Sequence, residues 1–180
     1  MKLKSTLMAA AIMMLTSCGL FAQNSKTLVM YFSWGGTTEK MAKMISSSNG
    51  GELFKIEPTE AYPTSYTPCT KVVKDELDKG IFRTVKSAPD FSKYDTIFVG
   101  VPVWWHTAPT LMTHFLEEHA ANLKGKTVIP FCTYQATYRD ETLAALTDAT
   151  PTASHKEGYG TTNPKQDDID AWLKKIGVKK

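Results

Sequence analysis

The residues best equipped for chemistry lie in three short stretches. The first, YFSWGGTTEK over residues 31–40, follows an apolar run and brings together Ser33, Gly35, Gly36, Thr37 and Thr38. Adjacent glycines let the backbone turn successive N–H groups outward, and the three hydroxyls add further donors. A helix beginning directly behind them would contribute its positive dipole end, which favours an anion by ~0.3–1 kcal/mol or more when partly buried. That is the chemistry of a phosphate cradle. A simpler reading is a glycine turn closed by a threonine N-cap. The spacing matches neither GxxxxGK[ST] nor GxGxxG, and no lysine stands in the loop, so neither a nucleoside-triphosphatase loop nor a Rossmann dinucleotide site is supported.

The second stretch is PVWWHTAP, residues 102–109. Trp104 and Trp105 are adjacent at the end of an apolar run, so they cannot both face one core surface. At least one ring then lies at a rim, where it could stack on a flat ligand or cover the start of the next helix. His106 could donate a hydrogen bond to a ring carbonyl or stabilise a reduced, anionic ring; it could equally be a solvated loop residue. The third stretch is TYQATYRD, residues 133–140, which opens on Thr133, Tyr134 and Gln135. His114, His119 and His155 show no ligand-like spacing, and no metal site is expected.

Elements that would position these stretches alternate along the chain. TLVMYFS is a short apolar, aromatic run suited to a strand buried on both faces. TEKMAKMISS places Met41, Met44 and Ile45 at helical spacing and stops near Asn49-Gly50-Gly51. ELFKIEP reads as a more alternating strand ended by Pro58, and YTPCTKVVKDELDKG as a helix stopped at Gly80. YDTIFVGVPVWW is the strongest strand signal. APTLMTHFLEEHAANL reads as one amphipathic helix with Pro109 near its first turn. KTVIPFCTY and RDETLAALTDA continue the alternation, and a weak fifth strand is expected within ASHKEGYG. QDDIDAWLKKIG closes the chain as a helix, with Asp167 and Asp168 early and Lys174 and Lys175 late, both favourable to its dipole. Such alternation predicts an α/β domain, a doubly wound parallel sheet covered on both sides. Five strands suit the order 2-1-3-4-5, although periodicity does not determine it. The three stretches then fall at carboxyl ends of strands, where open parallel sheets bind ligands.

The chain has 180 residues, 42% hydrophobic and 22% charged, which suits one domain with a full core. Its first segment stands apart. MKLK is a basic start, STLMAAAIMMLT an apolar run too short to span a bilayer comfortably, and LTSC ends it at Cys18. Leu15-Thr16-Ser17-Cys18 resembles the lipobox of bacterial lipoproteins, whose cysteine becomes the lipidated first residue; cleavage after Ala22 is the alternative. The expected organisation is therefore a lipoprotein signal peptide over residues 1–17, a tether over 18–26 and the domain over 27–180. The protein would be exported and held to a membrane only through its lipid, facing the periplasm. Formal net charge is +3, and losing Lys2 and Lys4 leaves about +1. With no basic block interleaved with aromatics, nucleic-acid binding is not expected. Cys69 and Cys132 remain; export would permit a disulfide between them, but Cys132 within TVIPFC fits a small buried core residue.

LVMYFSWGGTTEKMAKMI, AYPTSY, IFVGVPVWWHTAPTLMTHFLE, PFCTY and DIDAWLKKIG together resemble the short-chain flavodoxin-like proteins across nearly all of the exported part. The resemblance implies a five-stranded doubly wound sheet and noncovalently bound flavin mononucleotide (FMN). It places Ser33, Gly35, Gly36, Thr37 and Thr38 around the phosphate and Pro102, Val103, Trp104, Trp105 and His106 beside the isoalloxazine ring. Thr133, Tyr134 and Gln135 would begin the third contact loop. Two positions depart from the family pattern: Thr37 stands where asparagine is common, and the third loop has no glycine but carries Tyr134, Tyr138 and Arg139. The implied function is electron transfer or reduction of a small acceptor such as a quinone, with no side chain acting covalently. The rival is a flavin-less periplasmic module using the same crevice for another small anionic or aromatic ligand. Export without a twin-arginine pair supports that rival, because a chain crossing unfolded cannot carry a noncovalent cofactor with it.

Overall fold

The computed structural model describes residues 26–179. The expected signal peptide, lipidation site and most of the tether lie outside them. Strands β1 (Thr27–Tyr31), β2 (Glu52–Lys55), β3 (Thr96–Pro102), β4 (Thr127–Thr133), β5 (Ser154–His155) and β6 (Tyr159–Thr161) form one parallel sheet. Helices α1 (Thr37–Asn49), α2 (Tyr66–Lys79), α3 (Thr110–Glu118), α4 (Ala120–Leu123), α5 (Arg139–Asp148) and α6 (Gln166–Lys175) cover it. The order is β2-β1-β3-β4-β5, with β6 also against β4. This is the doubly wound arrangement expected from the alternation.

Period-two alternation sorts the central strands between two cores. Leu28 and Met30, Ile97, Val99 and Val101, and Val128 and Cys132 face one side, where Cys69 and Val73 of α2, Leu111, Met112, Phe115 and Leu116 of α3 and Leu146 of α5 meet them. Val29 and Tyr31, Phe98, and Ile129 and Phe131 face the other, against Met41, Ala42 and Ile45 of α1 and Ile169, Trp172 and Leu173 of α6. Burying both faces explains why β1, β3 and β4 are nearly uninterrupted apolar runs. Gly100 has a specific packing role: the Phe131 ring lies across it, with Cζ 2.0 Å from where a Cβ would sit. Any side chain there would push the ring off the sheet.

Two expectations need correction. The single fifth strand is two pieces, β5 paired through Val128↔His155 and β6 through Phe131↔Tyr159. The intervening segment carries one residue more than its partner, opposite Ile129-Pro130. The carbonyls of Lys126 and Val128 accept from Ser154 and Lys156 on that side. Pro130 therefore turns a nitrogen without a proton toward the edge, and the ladder breaks there. The helix expected over residues 108–123 is also interrupted, into α3 and α4. At His119 the backbone leaves helical geometry, at φ −104° and ψ 12°, and the ring Nδ1 bonds the Phe115 carbonyl at 2.8 Å.

Candidate functional site

Three loops emerge from the carboxyl ends of β1, β3 and β4, around the point where strand order reverses between β1 and β3. The first holds Ser33, Gly35, Gly36, Thr37 and Thr38. Gly36 is the N-terminal flanking residue of α1, at φ +88°, a conformation an L side chain rarely adopts. No side-chain cap satisfies the helix there. Instead Ser33 Oγ accepts from the N–H groups of Gly36 at 3.1 Å and Glu39 at 3.2 Å. Thr37 and Thr38 occupy the first two helical positions, whose amides have no intrahelical acceptor. Nothing lies within 4 Å of where a Cβ would project from Gly35 or Gly36. The loop is thus an open, donor-lined concavity at the positive end of a 13-residue helix, and its residues fit a phosphoryl group. Thr38 departs from the simple picture of three free hydroxyls. It is 1% exposed and shares a 2.8 Å hydrogen bond with Thr133 Oγ1, joining the first loop to the end of β4. What Thr38 can offer an anion is its backbone amide.

Pro102 ends β3, and Val103 N–H donates to Thr133 O at 2.8 Å, tying the second loop to the third. Trp104 and Thr107 then exchange backbone hydrogen bonds of 2.9 and 3.1 Å around Trp105 and His106, which sit at φ 45° and 71°. Positive φ at both central positions is the pattern of a type I′ turn, where Asn-Gly is the comfortable pair and Trp-His is strained. The two tryptophans part, as adjacency required. Trp104 is half-buried, edge-on to Phe32 at 5.2 Å and to Tyr62 at 4.9 Å between centroids. Trp105 is exposed and lies on α2, donating from Nε1 to Thr70 O at 3.0 Å with Lys74 Nζ 5.8 Å from the ring centre.

The third loop runs from Thr133 through Tyr134 and Gln135 to Tyr138. Thr133 is buried, Tyr134 packs at the edge of the α2–α3 core, and Gln135 is exposed. Tyr138 precedes α5 at φ 67° and stacks on His106, centroids 3.9 Å apart and 29° from parallel. Trp105, His106 and Tyr138 are the only non-glycine residues at positive φ among those described. Strain of this kind costs on the order of 1–3 kcal/mol per residue and concentrates where surrounding packing over-determines a loop. Here it brings an imidazole and a phenol into a clasp across the gap between the second and third loops.

Sequence reasoning missed the support behind Trp104. Tyr62, in the loop after β2, donates its hydroxyl to Glu76 Oε2 of α2 at 2.9 Å, and Arg83 Nε donates to Glu76 Oε1. The Arg83 guanidinium also lies 4.3 Å from the centre of the Tyr62 ring. Glu76 is 4% exposed, a buried carboxylate answered by one cation and one phenol. Burial first, and then the Glu76 charge, push the Tyr62 phenol far above its ordinary range, so it stays a donor. Only AYPTSY in the sequence pointed here, and nothing in it named Glu76 or Arg83. Among the described residues, Cys69 and Cys132 are both buried and unpaired. Burial pushes the Cys132 thiol up to about 12, which removes it as a nucleophile.

Known structures share this fold. A provisionally assigned flavoprotein from Bacteroides eggerthii DSM 20697 is 33% identical, over 86% of this chain and 99% of its own, with a TM-score of 0.76. A flavoprotein from Lactobacillus acidophilus NCFM, solved in complex with FMN, is 22% identical over 85% and 99%, with a TM-score of 0.70. The two-electron-reduced flavodoxin of Megasphaera elsdenii is 20% identical over 82% and 98%, with a TM-score of 0.53. No curated protein matches the sequence. The sequence profile of the Flavodoxin family matches residues 26–176. With its fold, its loop placement and that match across the described domain, this chain belongs to the flavodoxin family.

Proposed function

We propose that the chain is a noncovalent FMN-binding redox protein that transfers electrons or reduces a small acceptor such as a quinone. The observation that carries this reading is the open cradle at residues 33–38, where the Thr37 and Thr38 amides at the head of α1 have no intrahelical acceptor. Ser33, Gly35, Gly36, Thr37 and Thr38 would hold the phosphate, Thr38 through its backbone. Pro102, Val103 and Trp104 would stand beside the flavin ring, with Trp104 held against Phe32 and Tyr62. Thr133, Tyr134 and Gln135 begin the opposing loop, and the His106–Tyr138 clasp bridges the gap a ring would enter. The flavin, when bound, supplies the redox chemistry. The chain supplies donors for the phosphate, apolar walls that exclude water, and an indole whose position is fixed from behind.

A formal charge near +1 after loss of the leader supports a reductase over a carrier, since acidic carriers use their charge to steer toward basic partners. Export and anchoring through Cys18 belong to the same proposal and are supported by Leu15-Thr16-Ser17-Cys18 behind an apolar run. The test is titration of purified protein with FMN, followed by quenching of flavin fluorescence and by gel filtration. A yellow one-to-one complex is expected to survive the column. A colourless protein fraction would overturn the cofactor assignment and favour the flavin-less binding module. Steady-state oxidation of a nicotinamide donor in the presence of a quinone then separates reductase from carrier, because a carrier alone turns over little.

A further inference from the structure

A second cavity, of about 330 Å³, opens between the first loop and the loop that follows β2. It shares Ser33 and Gly35 with the phosphate cradle, but residues 102–106 and 133–135 take no part in its lining. Phe32, Trp34, Ile56 and Tyr62 supply apolar and aromatic walls, and Lys55 and Lys86 stand at its edge beside Glu57. The walls are built rather than incidental. Trp34 Nε1 donates to Pro63 O at 2.9 Å, locking the first loop to the opposite wall. Tyr62 is held from behind by Glu76 and Arg83. An antiparallel bridge between Pro58 and Val85, with Lys86 N–H donating to Glu57 O at 2.9 Å, brings Lys86 in from a distant part of the chain.

The two ammonium groups are only loosely engaged. Lys55 Nζ lies 3.9 Å from carboxylate oxygens of both Glu39 and Glu57, and Lys86 Nζ lies 3.5 Å from Glu57. Each ammonium carries three donors, so most of this capacity faces solvent and the cavity. Glu39 lies outside the lining and is already held by Lys43 at 2.6 Å, so Lys55 and Lys86 together face one lining carboxylate, Glu57, and leave the mouth positive. Aromatic walls with a cationic rim match one ligand chemistry: a flat apolar body bearing a negative group. We propose that this cavity is a second ligand site, beside the proposed flavin crevice and sharing only its Ser33–Gly35 corner, for a small planar aromatic carboxylate. Its wall residues Phe32 and Tyr62 also carry Trp104, so the two sites share one aromatic partition.

The experiment is calorimetric titration of the purified protein with 2-naphthoate, with 2-naphthalenemethanol as the uncharged counterpart. One-site binding of the acid is expected, about tenfold tighter than the alcohol. In the double variant K55Q/K86Q the acid weakens by about tenfold while the alcohol is unchanged. Ala61→Phe, which fills the mouth from an exposed lining position, abolishes both. FMN affinity, measured in parallel, stays unchanged in K55Q/K86Q. The proposal is overturned if 2-naphthoate gives no saturable heat, if acid and alcohol bind alike, or if the lysine variant binds the acid normally. It is also overturned if FMN displaces 2-naphthoate, because the cavity would then be part of the nucleotide's own site. A protein that binds 2-naphthoate but not FMN leaves this site standing and removes the flavin reading instead.

Discussion

The phosphate cradle and the aromatic loops sit at the same end of the sheet but are made in different ways. Residues 33–38 are mostly backbone: a glycine at φ +88°, a serine oxygen gathering two amides, and a helix end left open. Residues 102–106 and 138 are mostly side chain: two indoles sent in opposite directions, and an imidazole stacked on a phenol by a turn that suits neither residue. The first region uses a conformation its glycine adopts freely. The second holds three large residues where glycine or asparagine would rest more easily, and it depends on packing to keep them there. The first loop's amides are thus presented largely by local geometry, with Thr38 tied to Thr133, whereas the aromatic loops rest on contacts distant in sequence.

The strongest way to break that contrast is to remove the distant support. Arg83→Met leaves Glu76 buried without its cation, which should cost about 3–5 kcal/mol in urea unfolding. Cradle geometry, being local, should still form. If the loss is below about 1 kcal/mol, the Tyr62–Glu76–Arg83 network does not support the Trp104 wall. Next in size, Gly36→Val forces a β-branched residue to φ +88°, costing about 1–2 kcal/mol of stability. FMN binding should fall by more than that stability loss alone implies, since a side chain would also enter the open space of the cradle. Fluorescence titration beside a thermal melt checks both. The smallest effect is expected for His106→Gly. Relief of positive-φ strain and loss of the Tyr138 stack are each worth roughly 1 kcal/mol and opposite in sign. The melting temperature should therefore barely move; a clear rise would mean that strain dominates the clasp.

The same contrast explains how much was legible beforehand. Alternating runs and Gly–hydroxyl chemistry are local, so the α/β class, the covered sheet and the cradle's position all followed from short windows. Strand order was only suggested by the number of strands, because periodicity carries no information about which strands are neighbours; the pairing itself establishes it. The break at Pro130 was readable in principle, since a proline in a strand removes a donor, but which side lost it depended on register. Thr38 looked like a free hydroxyl until Thr133, far along the chain, turned out to claim it. The positive φ values at Trp105, His106 and Tyr138 run against what those residue types prefer, so no propensity argument could have found them. Nothing in YTPCTKVVKDELDKG sets Glu76 apart from its neighbouring acids; it is the fold that buries it against Tyr62 and Arg83.

Strand direction has one more consequence. All strands run parallel, and β1 begins at Thr27 on the rim opposite the three loops. The described chain therefore enters the domain at the pole opposite those loops. If the preceding segment is fastened to a bilayer by Cys18, the crevice looks outward, away from the lipid surface. A redox partner would then meet it from the aqueous side, and a quinone dissolved deep in the membrane would be out of reach unless the tether let the whole domain roll over.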